Sequence, residues 1–230
     1  MNTKSIPPSL EISGIRRPQW QLCSNKHQRV VLIRDRSSSM KGQKATEASA
    51  ASMELLAVLA HPINKDAFWF ADIDYDDTAT LAQPFEKATK IQGIRPIETG
   101  HNTNITAGLE LTLSHLRAAE RNTDPEGPKF LRPVAILFTD GEHNVGPSPV
   151  QAATELKEIA DLVTIAYGQN AKEEFLKTLA SSSKHFCRTN NGSDLRAYLA
   201  DVGETLSKSV ALGMNASHAI ARLSTTRGKE

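Results

Sequence analysis

Cysteine is nearly absent from this chain: 230 residues contain two, Cys23 and Cys187, with no CxxC spacing. That excludes a disulfide-stapled scaffold and a thiolate zinc site, and it fits a cytoplasmic chain with reduced thiols. An excess of one charge is missing too, since 27 Lys and Arg face 26 Asp and Glu for a formal net charge of +1. No global electrostatic case exists for nucleic acid or an anionic membrane as partner. No run approaches the roughly 20 apolar residues of a membrane helix. The first eight residues, Met1 to Pro8, lack the apolar segment of a signal peptide.

Catalytic signatures are lacking as well. The seven histidines form no H-x-x-x-H pair, and there is no G-x-S-x-G elbow and no glycine-rich phosphate loop ahead of a helix. Ser38-Ser39-Met40-Lys41 fits S-x-x-K, but its companion motifs S-D-N and K-T-G are absent. The reading is therefore not an enzyme.

What the chain does have is a core and a pattern. Hydrophobic residues make up 39% of it, enough for one large α/β domain. Val30 to Arg34 is apolar at every position but the last, as a strand covered on both faces should be. Residues 67–71 and 134–138, then Leu162 to Tyr167 and His185 to Arg188, give further strands, with a short edge partner at Thr78 to Leu81. Between them run helical patterns over 42–60, 105–121, 149–160 and 172–180. The clearest is the stripe Leu195, Tyr198, Leu199, Val202, Leu206 and Val210. Strand and helix alternate, which predicts a doubly wound, mostly parallel six-stranded sheet with helices on both faces. Residues 1–28 read as an N-terminal arm anchored by Trp20 and Leu22, 29–212 as the domain, and 213–230 as a flexible tail. Asp72-Ile73-Asp74-Tyr75-Asp76-Asp77 carries Asp77 and Gln83 where a calcium loop needs Gly and Glu, so it reads as a solvated acidic hairpin.

Three polar segments carry the functional signal. Asp35-Arg36-Ser37-Ser38-Ser39-Met40 leaves the first strand as D-x-S-x-S, and extended backbone repeats its side-chain direction every two residues. Asp35, Ser37 and Ser39 thus form a set of hard oxygens, suited to Mg²⁺, Mn²⁺ or Ca²⁺ and not to zinc; the same loop also fits a helix start capped by Ser37 or Ser39. The second segment runs from Gly100 to Leu109 and places Thr103 ahead of a helix. In the third, Thr139-Asp140-Gly141-Glu142 closes a buried strand. In an open α/β sheet, ligands sit at the carboxyl ends of strands where the winding reverses; Asp35 and Asp140 both end strands on that edge and would meet there if the two strands are neighbours.

In this order, the segments resemble the von Willebrand factor A domain family, from about Gln28 to Ala211. The resemblance implies a metal-ion-dependent adhesion site (MIDAS) made by Asp35, Ser37, Ser39, Thr103 and Asp140. It further implies Mg²⁺ (or Mn²⁺ or Ca²⁺), with an Asp or Glu of a partner protein completing the coordination. His101, Asn102, Glu142, His143 and Asn144 would form the partner-binding rim. Ser38 stands where the family has glycine, so strain is expected if that position needs a positive φ. The chain is similar to small intracellular prokaryotic members found with tellurite-resistance and stress-response kinase–phosphatase systems, or acting as adaptors of AAA+ ATPases. A Mg²⁺-dependent phosphohydrolase and a metal-free scaffold are the alternatives. The first would want a second acid two residues after Asp35, where Ser37 stands.

Overall fold

The computed structural model describes residues 25–169 and 171–227. Trp20, Leu22 and Cys23, and so most of the expected arm, lie outside them. Among the described residues the strands are β1 (Lys26–Asp35), β2 (Phe68–Tyr75), β3 (Ala79–Lys87), β4 (Lys129–Phe130), β5 (Val134–Thr139), β6 (Asp161–Tyr167) and β7 (Phe186–Thr189). The helices are α1 (Gln43–Leu59), α2 (Ile105–Arg121), α3 (Val150–Ile159), α4 (Glu173–Leu179), α5 (Gly192–Ala211) and α6 (Ser217–Arg227). The sheet order is β3-β2-β1-β5-β6-β7, parallel except for β3. A seventh strand, β4, lies parallel to the first residues of β1 and off that path, one more than the six expected. It is two residues long and carries no alternation, so its pattern gave no signal; Phe130 is held there by Trp69 and His27 ring contacts.

Alternation along β1 divides the core. Val30 and Leu32 pack with α1, α5 and α6, whereas Val31 and Ile33 pack with α2, α3 and α4. All four are fully buried, each stabilising the fold by about 1.5–3 kcal/mol. The chain winds outward from β1 in both directions, so the β1–β5 boundary is the switch point, with Asp35 and the residue after Thr139 at its carboxyl edge.

Three expectations are corrected. β1 begins at Lys26, so the last residues assigned to the arm are strand. The expected flexible tail is largely α6: Ala216, Ile220 and Ala221 are buried, and the His185 ring meets the Ser182 hydroxyl at 2.8 Å and the Ser217 hydroxyl at 3.1 Å. Its few apolar residues suffice because α5 and the turn that carries His185 offer a surface to cover. The acidic run is not solvated. Asp72, Asp74 and Asp76 are buried, and fully buried Arg34 reaches Asp72 at 2.7 Å and Asp74 at 2.8 Å. Parallel pairing sets Arg34 opposite Asp74, and the period of two turns Asp72 to the same face. Burial pushes the Asp72 carboxyl up to about 7 against the pull of Arg34.

Candidate metal centre

β1 ends at Asp35, whose side chain is fully buried and has both oxygens occupied. Oδ1 accepts the Ser37 backbone N–H at 2.7 Å and Oδ2 accepts the Thr139 hydroxyl. The first bond bends the chain at the strand exit. Ser38–Met40 then forms a single 3-10 turn pinned by the buried Met40 side chain. Among the described residues only Lys65 and Asp66 combine a side chain with positive φ, so Ser38 in the family's glycine position is unstrained. The turn brings the Ser37 and Ser39 hydroxyls within 2.9 Å of each other, and Ser39 donates to Asp140 Oδ1 at 2.6 Å.

Thr103 arrives from another direction and is also buried. A Cβ placed on Gly141 would stand 3.4 Å from the Ser39 hydroxyl and 3.5 Å from that of Thr103. The glycine therefore keeps a side chain out of the space between them. The threonine loop is clamped on both sides. Ser38 donates its N–H to the His101 carbonyl at 3.0 Å, and Asn144 exchanges bonds with the Thr103 backbone at 2.9 and 3.1 Å. Asp76, the residue after β2, supports it: its carboxylate meets Arg36 at 3.0 Å and its carbonyl accepts the Asn104 N–H at 2.7 Å. A Cβ on Gly100 would overlap the Asp76 carboxylate, so this close approach needs glycine.

Asp35, Ser37, Ser39, Thr103 and Asp140 are thus gathered at one edge of the sheet. Of the rim residues, His101, Asn102, Glu142 and Asn144 are exposed and His143 is half-buried. Two of them also have structural tasks: His143 Nδ1 accepts the Ile105 N–H at 3.2 Å, and Asn144 holds Thr103. Sequence reasoning missed Thr139, Tyr75 and Lys44. Thr139 precedes Asp140 and lay within the quoted motif, so its alternation with Asp140 was a usable signal. Lys44 lies 96 positions from Asp140, whose Oδ2 it contacts, and nothing local points it there.

Burial pushes the Asp35 carboxyl up to about 6; the Ser37 and Thr139 hydrogen bonds pull it back, and the Asp140 charge raises it further. The Tyr75 hydroxyl is buried beside this group with no hydrogen-bond partner of acceptable geometry, and burial and the Asp35 charge raise its pKa. Among the described residues, no group of three or more His, Cys, Asp or Glu is placed to hold a metal. The donor set here is different, being three hydroxyls with two carboxylates, and the packed oxygens and the partnerless Tyr75 hydroxyl fit a hydrated hard cation. A cavity of about 830 Å³ adjoins the site, lined among others by Glu142, His143, Pro149, Lys172 and Phe175.

The sequence profile of the von Willebrand factor type A domain matches residues 30–201. Among solved structures, proximal thread matrix protein 1 (PTMP1) from the mussel byssus is similar at a TM-score of 0.64 and 23% identity, over 81% of this chain and 48% of that one. A further structure of that protein, described as having a zinc-occupied MIDAS motif, gives 0.63 and 23% over the same shares, 81% and 48%. The vWF domain of the type V pili tip protein Mfa5 from Porphyromonas gingivalis gives 0.60 and 15%, over 80% of this chain and 96% of that one. The chain spans about half the length of PTMP1. At these identities the likeness shows the fold alone. No curated protein sequence matches. The profile covers most of the chain, and the observed α/β architecture agrees with it: the chain belongs to the von Willebrand factor type A domain family.

Proposed function

We propose that this domain is a non-enzymatic interaction module that captures an Asp or Glu side chain of a partner protein through a divalent cation. Ser37, Ser39 and either Thr103 or Asp140 would hold the ion directly. Asp35 would orient the loop, because protein donors already engage both of its oxygens. Once bound, the cation supplies a Lewis-acidic point to which a carboxylate oxygen can dock. The observation that carries this reading is the oxygen chain Ser37–Ser39–Asp140, at 2.9 and 2.6 Å, beside Thr103 and a bare Gly141.

An all-oxygen donor set favours Mg²⁺, with Mn²⁺ and Ca²⁺ next. The zinc-occupied motif of PTMP1 makes Zn²⁺ the competitor to run beside them. His101, Asn102, Glu142 and His143, together with the adjoining cavity, would select the partner. The engaged oxygens of Asp35 also argue against a phosphohydrolase, whose nucleophile must be free. For the setting, we propose the intracellular one that the family resemblance implies, with a kinase–phosphatase system or an AAA+ ATPase presenting the acidic group.

Thermal melts in Mg²⁺, Mn²⁺, Zn²⁺ and EDTA test the site. An ion at ~100 times its dissociation constant adds ~2.7 kcal/mol, and Asp35→Ala should abolish the shift. Pull-downs with and without EDTA, on wild type and Asp35→Ala, then test the mechanism. A partner that binds equally well in EDTA overturns carboxylate capture, and a melt indifferent to every cation leaves a metal-free scaffold.

A further inference from the structure

The two oxygens of Asp140 face different donors. Oδ1 accepts the Ser39 hydroxyl at 2.6 Å, while Oδ2 is taken by the Lys44 ammonium. Lys44 is the second residue of α1, the helix that starts directly after the serine loop, so this turn carries a cation of its own back to the site. Its stem runs beside Gly168, where a Cβ would stand 3.9 Å from Lys44 Cε. The Lys44 side chain is 35% exposed, whereas Asp140 is sealed. The ammonium is therefore able to swing toward water; the carboxylate is fixed.

This changes the charge of the site. Two carboxylates and one ammonium leave one net negative charge, and a divalent cation turns that into one net positive charge. Without Lys44 the loaded site would be neutral. We infer that Lys44 is a tethered counter-cation that makes the bare site a weak metal binder and the loaded site a strong carboxylate binder. Cation and acidic ligand are thereby coupled. The inference rests on the metal reading above. Lys44 competes for Asp140 and repels the incoming ion, which lowers cation affinity. The same charge attracts a carboxylate once the ion is in place. By linkage, the ligand then raises cation affinity by the factor by which the cation raises ligand affinity. A unit charge ~6 Å from a divalent ion is worth about tenfold in affinity even at the permittivity of water.

The test is a Mn²⁺ titration, followed by electron paramagnetic resonance, on wild type, Lys44→Met and Lys44→Arg in chloride and in acetate. Circular dichroism and melting in EDTA establish that each variant is folded. Lys44→Met keeps the methylene packing and should bind Mn²⁺ about tenfold more tightly than wild type in chloride. Lys44→Arg keeps the charge and should resemble wild type, and the gap between Met and wild type should narrow at high salt. Acetate should strengthen Mn²⁺ binding in wild type more than in Lys44→Met. Mn²⁺ binding by wild type that Lys44→Met leaves unchanged or weakens overturns the inference alone. Mn²⁺ binding by none of the three overturns the metal reading and the inference with it.

Discussion

Asp35 shows how a single buried carboxylate is shared out: one oxygen fixes the Ser37 backbone and the other takes the Thr139 hydroxyl. Thr139→Val removes that second donor while keeping the shape of the side chain. Outer partners of this kind are worth about 10–100-fold in metal affinity, so the variant should lose that much Mn²⁺ affinity by calorimetry. Undiminished affinity would show that Asp35 needs no such support. Arg34 poses a different problem, an always-charged group inside the sheet with two acids on it. One ionised carboxylate neutralises it, and the second is held largely against its solvation. Raising the folded pKa of Asp72 from 3.8 to about 7 means that the folded state binds this proton more tightly than the unfolded chain. That carboxyl costs nothing below about pH 3.8 and opposes folding increasingly as the pH rises toward 7. Asp72→Asn should therefore flatten the fall in stability over this window in denaturant melts. Arg34→Met should instead cost ~3–5 kcal/mol by stranding two buried acids. An unchanged pH profile in Asp72→Asn would rule out the assignment.

Between elements, α1 and α5 pack closely against each other on one face of the sheet. A Cβ on Gly203 would stand 2.9 Å from Val58 Cγ1 and 3.3 Å from Leu55 Cδ1. Two effects of Gly203→Ala oppose each other. Alanine gains about 1 kcal/mol of helix propensity, and overpacking costs typically ~1–3 kcal/mol. The contact with a β-branched side chain, which cannot turn away, makes the second effect win, so the single variant should be less stable. In a Val58→Ala background the obstruction is gone and the same change should become stabilising. Additive effects in that double-mutant cycle would contradict direct contact. The α5 stripe was legible from its period, because every apolar residue in it is buried in the core shared with α1 and the sheet. α6 was not, since it buries only a few small or single apolar side chains and depends on a surface made by residues far away in sequence.

Across the whole molecule, the site is assembled from three stretches of chain: the β1 exit, the threonine loop and the β5 exit. Their alignment depends on Asp76, which reaches Arg36 in the first stretch and the backbone of the second. Asp76→Ala should weaken Mn²⁺ binding by about 10–100-fold while leaving Ser37, Ser39 and Asp140 in place, and amide exchange at residues 100–104 should speed up. Normal exchange with weakened binding would place the effect elsewhere. The sequence by itself determined the alternation of strand and helix, the strand ends that carry Asp35 and Asp140, and the family to which the chain belongs. These are local signals, a hydrophobic period or a motif a few residues long. Only the tertiary structure decided that Asp72, Asp74 and Asp76 are buried, that 217–227 folds back as a helix, and that Lys44 reaches Asp140. Each of these is a pairing across dozens of positions, where an ionic or apolar partner supplied by another element reverses the environment that the local composition suggests.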